Sequence, residues 1–145
     1  QNRVMVEINL TSNAVILDVE GADHPFETYR QFGVPLALST DDEGVSRIDL
    51  THEYRRAVET YDLSYADVKG LSRNSLTYAF VDGASLWSET GAGVPIAACR
   101  EDTLGTSALS AACAAFLEAS AKVTLQWTLE AAYGQFETLQ SLAGR

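Results

Sequence analysis

Hydrophobic and polar positions alternate from Val4 to Leu10, with Val4, Val6, Ile8 and Leu10 on one side and Met5, Glu7 and Asn9 on the other. A period of two marks a strand, and the polar cluster Thr11-Ser12-Asn13 predicts its end. The following VILDVEGAD (15–23) reads as loop. Asp23 then caps a short helix through HPFETYRQF, with Pro25 in its first turn and Gly33 just past its end. Phe26, Tyr29 and Phe32 would share the inner face of that helix. VPLALST (34–40) is almost wholly apolar, as expected of a strand covered on both faces. Strand, helix, strand predicts a parallel βαβ unit.

Beyond Thr40 the period changes. From Asp49 or Thr51 a helix is predicted to about Tyr61, because Tyr54, Ala57, Val58 and Tyr61 fall at the spacing of one buried face. Ser64 and Asp67 imitate a capping box for the next helix, YADVKGLSRNSLTYAF. Residues 82–106 are Gly-rich and aperiodic and read as a long surface loop, including the GAG at 91–93. From Ser107 to about Leu142 the apolar positions Leu109, Cys113, Phe116, Leu125, Leu129, Ala132, Phe136 and Leu139 keep near-heptad spacing. Unbroken, that helix would stretch about 54 Å at 1.5 Å per residue, so a bend near Ser120 or Gly134, or packing onto a larger body, is expected. The organisation read from the pattern is residues 1–81, a loop at 82–106 and a helical extension at 107–145.

Charge and composition narrow the function classes. The chain has 145 residues, with 20 acids against 10 Lys and Arg for a formal charge of −10, which repels phosphate backbones. No stretch clusters Lys or Arg with aromatics, so nucleic acid and anionic membrane are poor partners. No apolar run reaches the length of about 18 residues that spans a bilayer, and QNRVMVEINL has none of the three parts of a signal peptide. The start at Gln1 reads as processing or truncation upstream. Cys99 and Cys113 would close a loop of about 15 residues, worth on the order of 3 kcal/mol if oxidised. Bridged and free cysteines are both open at this point. Two parallel strands do not make an independent sheet, since faces and edges need cover that few neighbours can give.

The chemistry concentrates where the second strand surfaces, at Asp41 and Asp42. Within regular β-structure successive side chains oppose one another, but at a strand end the backbone turns and two adjacent acids can address neighbouring points. One could hold a cation while the other meets a substrate. Ligands collect at the carboxyl ends of parallel strands, which is where this pair stands. Capping of a turn is the plainer use of such a pair. An EF-hand register with Gly44 sixth would run from Ser39 to Leu50, lacking the first Asp and the terminal Glu. There is no His-x-His, Cys-x-x-Cys or His-Glu-x-x-His, and no nucleophile elbow, phosphate loop or dinucleotide fingerprint.

STDDEGVSRIDLTHEY, preceded by EINLTSN and HPFETYRQFGVPLAL, resembles the C-terminal quarter of the adenosine deaminase family of metal-dependent amidohydrolases, including its secreted growth-factor-like branch. The resemblance covers roughly residues 4–81. It implies an α/β fold that is the C-terminal part of a (β/α)8 TIM barrel: the last two strands and the helices after them, completed by another chain. It implies that Asp41 is a zinc ligand and catalytic residue that helps orient the attacking hydroxide, and that Asp42 binds substrate by a hydrogen bond to a purine ring nitrogen. A carboxylate is a good hard ligand for Zn2+, whereas a carboxyl facing an acceptor nitrogen must carry a proton. Asp42 is therefore expected to be protonated with substrate bound.

The departures from the family pattern carry equal information. The family's His-x-His, its later His ligand, its His-Ala-x-Glu general acid and its nucleophile-orienting His have no counterpart here. His24 and His52 do not replace them and are read as structural. Glu43 stands where many members have Pro, and the family's Cys-Pro on the preceding strand reads Asn9-Leu10. The expected function is thus part of a zinc-dependent deaminase of adenosine or a related aminopurine, active only with an N-terminal portion of the same deaminase as a separate chain supplying His ligands and Glu. Residues 107–142 would pack outside the barrel or against another subunit, as in a homo-oligomer. The rival reading is a metal-free barrel remnant serving as a binding or interaction module. Compartment is open, with the branch resemblance and the cysteine pair leaning towards export or the periplasm.

Overall fold

Strands β1 (Val6–Ile8) and β2 (Leu36–Leu38) pair in parallel, with Val6 opposite Leu36, Glu7 opposite Ala37 and Ile8 opposite Leu38. The coordinates are those of a computed structural model and describe residues 4–88 and 93–143. Gln1 and the Gly91-Ala92 part of the loop lie outside the described residues. Val6 N donates to Pro35 O at 2.9 Å and Ser39 N to Ile8 O at 3.0 Å. The odd-numbered residues of β2 therefore face β1, and Leu36 and Leu38 turn their backbone groups to the other edge. No third strand pairs there among the described residues.

The crossover between the strands differs from the sequence expectation. β1 is shorter than the predicted 4–10, and α1 (Leu10–Leu17) starts two residues after it, where a strand end and loop were expected. Thr11, Ser12 and Asn13 are turn formers by composition. Here Thr11 and Ser12 are buried in the first turn of a helix. That helix carries no amphipathic signature, because its apolar residues run consecutively and Val15, Ile16 and Leu17 are exposed. A 3₁₀ turn at Gly21–Asp23 follows, then α2 (Phe26–Gln31), whose N-cap position is held by Pro25 with no side-chain cap from Asp23. Phe26 is fully buried and Tyr29 packs on the core, whereas Phe32 is 82% exposed rather than inward. The helix ends before Phe32 reaches the core face.

After β2 come a single turn α3 (Glu43–Ser46), α4 (Leu50–Tyr61) and α5 (Tyr65–Thr77). Asp49 caps α4, its carboxylate accepting from His52 N at 2.8 Å. Ser64 and Asp67 form the expected capping box: Ser64 N and Oγ donate to Asp67 Oδ2 at 2.9 and 2.6 Å, and Asp67 N donates back to Ser64 Oγ at 3.2 Å. The core of this part joins Ile8, Leu10, Phe26, Leu36, Leu38, Ala57, Leu63 and Leu71, with Phe26 stacked on Tyr61 at 4.4 Å between centroids. Val58, predicted to be inward, is exposed. Asn74 of α5 donates to Leu36 O at 2.8 Å, on the open edge of β2.

The chain divides into two compact units, Gln1–Ser75 and Leu76–Arg145. In the second, a lone bridge joins Trp87 and Pro95, a 3₁₀ turn spans Ala97–Cys99, and α6 (Ala111–Glu118) and α7 (Ala121–Ala143) pack against each other. The expected bend occurs at Ser120, whose hydroxyl accepts from Val123 N at 3.3 Å, and α7 runs unbroken through Gly134. Cys99 and Cys113 are joined as a disulfide inside a core of Leu86, Trp87, Val123 and Trp127.

Candidate active site at the strand ends

The carboxyl ends of β1 and β2 lie side by side because the strands are parallel neighbours, so the residues just beyond them meet. Beyond β2, Asp41 takes the left-handed conformation at φ +53°, which Asp tolerates better than most residues. This one residue ends the strand alternation. Its carbonyl accepts from Glu43 N at 2.8 Å, and the next residue, Asp42, stands at the N-cap position of α3 with its carbonyl taken by Val45 N at 3.1 Å and Ser46 N at 2.9 Å. Asp42 makes no side-chain cap, and both aspartates are exposed.

From the end of β1, buried Ser12 reaches across and donates its hydroxyl to Asp41 Oδ2 at 2.7 Å. Asp41 Oδ1 accepts no hydrogen bond among the described residues. A carboxylate fixed through one oxygen with the other open is a suitable single ligand for a hard cation. One carboxylate is not a metal centre, and the described residues contain no group of three or more His, Cys, Asp or Glu that could hold an ion. The residues present thus fit one position in a zinc coordination shell, and no completing set of ligands accompanies Asp41 among the described residues.

The two histidines are engaged elsewhere. His24 is buried and its Nδ1 accepts from Phe26 N at 3.1 Å, so Nε2 carries the proton in the neutral ring; it lies 2.9 Å from Asn13 Nδ2, and donates to that side chain when the amide is turned to present its oxygen. Burial, followed by the charge of Arg56, holds its pKa below the ordinary value of 6.5. His52 lies exposed on α4 beside Arg55, Arg56 and Glu59. Sequence reasoning passed over Ser12 and Glu53. Glu53 is fully buried, with both carboxylate oxygens 3.3 Å from Thr11 N. The signal for Ser12 was its place in the Thr-Ser-Asn cluster at the end of β1, read there as a terminator.

Comparison with known proteins finds relatives for the first half or so of the chain. The chain is 40% identical over 74 residues to an adenosine deaminase of Shewanella loihica, covering 50% of this chain and 22% of the relative. It is 38% identical over 87 residues to an adenosine deaminase of Salmonella newport, covering 59% of this chain and 24% of the relative. An apo N6-methyl-AMP deaminase from Arabidopsis thaliana superposes with a TM-score of 0.52 at 36% identity, over 55% of this chain and 24% of that one. The ADAL–IMP complex gives a TM-score of 0.52 at 36% identity over the same shares. The chain thus spans about a quarter of the length of the proteins it matches. A family profile described as adenosine deaminase matches residues 1–86, more than half of the sequence. With a parallel strand pair, an Asp-Asp turn at its carboxyl end and this match, the chain belongs to the adenosine deaminase family.

Proposed function

We propose that these residues form the closing strands of a zinc-dependent deaminase barrel acting on adenosine or a related aminopurine, and that the imidazole ligands and general acid come from an N-terminal portion of the deaminase outside these 145 residues. The observation that carries this reading is the Asp41 turn, held by Ser12 at the carboxyl end of a buried parallel strand whose outer edge pairs with no further strand among the described residues. Leu36, Ala37 and Leu38 are all buried, yet among the described residues the sheet has two strands, as an arc of a closed barrel would have.

Zinc, when bound, brings the pKa of a coordinated water toward neutrality and so supplies hydroxide at ordinary pH. Asp41 offers its open oxygen as one ligand, and Ser12 holds the other oxygen so that the carboxylate does not rotate. Asp42, one residue on, presents a carboxyl to a ring nitrogen of the purine and donates when it carries a proton. In the overall reaction the amino-bearing ring carbon exchanges nitrogen for oxygen, and ammonia leaves.

The test is metal analysis together with ammonia release from adenosine and methylamine release from N6-methyl-AMP, run on this chain alone and after assembly with the N-terminal portion of the deaminase. Close to one zinc per assembled molecule, and turnover only in the assembly, is the expected outcome. A chain that stays zinc-free and monomeric, and that gains neither metal nor activity from the added portion, would sink the reading.

A further inference from the structure

We propose that Glu53, one helix removed from the aspartate pair, is a positioning residue for Asp41, acting through the first turn of α1 and Ser12. The part of this that concerns metal binding rests on the deaminase reading above; the part that concerns the order of the Asp41 turn does not.

Glu53 is 0% exposed, and its hydrogen-bond donor among the described residues is the Thr11 amide, 3.3 Å from each carboxylate oxygen. A charged group so placed is costly to bury, and a leucine would fill the same core position without that cost. Its location accounts for the acid. The first amides of a helix have no intrahelical acceptor, and Asn9, at the N-cap of α1, makes no side-chain cap. Glu53 supplies the missing acceptor from 42 residues away, with a negative charge at the positive end of the helix.

The same α4 face takes a second hold one turn on. Arg56 Nη1 donates to Thr11 Oγ1 at 3.4 Å while Nη2 is anchored on Glu20 at 2.8 Å. Thr11 is therefore fixed through both backbone and side chain, and Ser12 is the next residue in the same turn. Its hydroxyl is the contact that restrains Asp41 Oδ2. Displacement of Thr11 carries Ser12 with it, and a catalytic carboxylate tolerates only about half an ångström of such movement. Glu53 thus decides where Asp41 sits without touching it.

Amide exchange on this chain reads the first part. Glu53→Gln is expected to speed exchange about tenfold or more at Thr11 and at Glu43, whose N–H bonds the Asp41 carbonyl. The Ser39 amide, bonded to Ile8 across the strands, should keep its rate. Ser12→Ala should speed Glu43 and leave Thr11 unchanged, and Ser12→Thr should restore the slow rate. In the assembled deaminase, zinc affinity measured by chelator competition should fall about tenfold to a hundredfold in Glu53→Gln and in Ser12→Ala. The double variant should be no weaker than Ser12→Ala. Losses that multiply, or a Glu43 rate that ignores both substitutions, would overturn the proposal. Should Glu53→Gln not fold, Ser12→Ala decides alone, since an unchanged Glu43 rate removes the last link. A wild-type assembly without zinc would defeat the deaminase reading and leave the exchange comparison standing.

Discussion

His24 shows how one buried ring ties the site to solution conditions. Its Nδ1 accepts the amide that opens α2 and its Nε2 meets Asn13 of α1, so the neutral ring links the two helices of the crossover. Because the folded-state pKa lies below the ordinary 6.5, the unfolded chain binds the proton first as pH falls. The stability His24 contributes is present above about pH 6.5 and is lost as pH falls from there towards the lowered folded value. Denaturation midpoints recorded from pH 7.5 to 5 should therefore decline, and His24→Asn, which retains an acceptor for Phe26 N, should flatten the decline while lowering the midpoint at pH 7.5. The aspartates separate by chemistry. On the proposed roles, Asp41→Asn removes a ligand and should lower kcat/KM of the assembled enzyme at least a hundredfold or so, with loss of zinc. Asparagine at 42 still offers a donor to a ring nitrogen, so Asp42→Asn should stay within about tenfold. Equal losses would contradict that division. The position of the Asp41-Asp42 turn was legible because the two acids follow an apolar strand. The hydrogen bonds of Ser12 to Asp41 and of Thr11 to Glu53 were not, since they span 29 and 42 residues of chain.

At the level of elements, the caps of α4 and α5 could be read from local chemistry, the Asp23 cap expected for α2 did not form, and elements that depend on tertiary contacts went unread. The Ser64–Asp67 box could be read from two residues three apart, and its geometry is reciprocal. Hydrogen bonds from the Ser64 hydroxyl and then its amide hold the Asp67 carboxyl below its usual range, helped by Arg30. The stability from that cap is present above the ordinary carboxylate pKa of 3.8 and lost as pH falls through the lower folded value. Ser64→Ala should cost about 1 kcal/mol at neutral pH in chemical denaturation, and the cost should shrink in acid. Helix α1 went unread for the opposite reason. Its sequence, LTSNAVIL, opens with turn formers and closes on consecutive apolar residues, and the acceptor for its first turn belongs to a helix 42 residues later. The parallel pairing of β1 and β2 was legible because VPLALST has no polar face.

Over the whole molecule, each unit has its own core, and the second can be watched separately. Both tryptophans, Trp87 and Trp127, sit in its core beside the Cys99–Cys113 bridge, so indole emission reports that unit. Reduction of the bridge opens a loop with a sequence separation of 14 and should cost that unit about 3 kcal/mol. Melts followed by fluorescence with and without reductant check this, and coincident curves would refute it. The sequence left bridged and free cysteines level, because two residues in a loop-rich stretch fix neither distance nor orientation. The Asn74 side chain, finally, has a directional effect on the unpartnered side of β2. By occupying the Leu36 carbonyl it withdraws one acceptor from that edge, which leaves the Leu38 carbonyl, on the half of β2 that leads to Asp41, as the β2 acceptor open to an arriving strand.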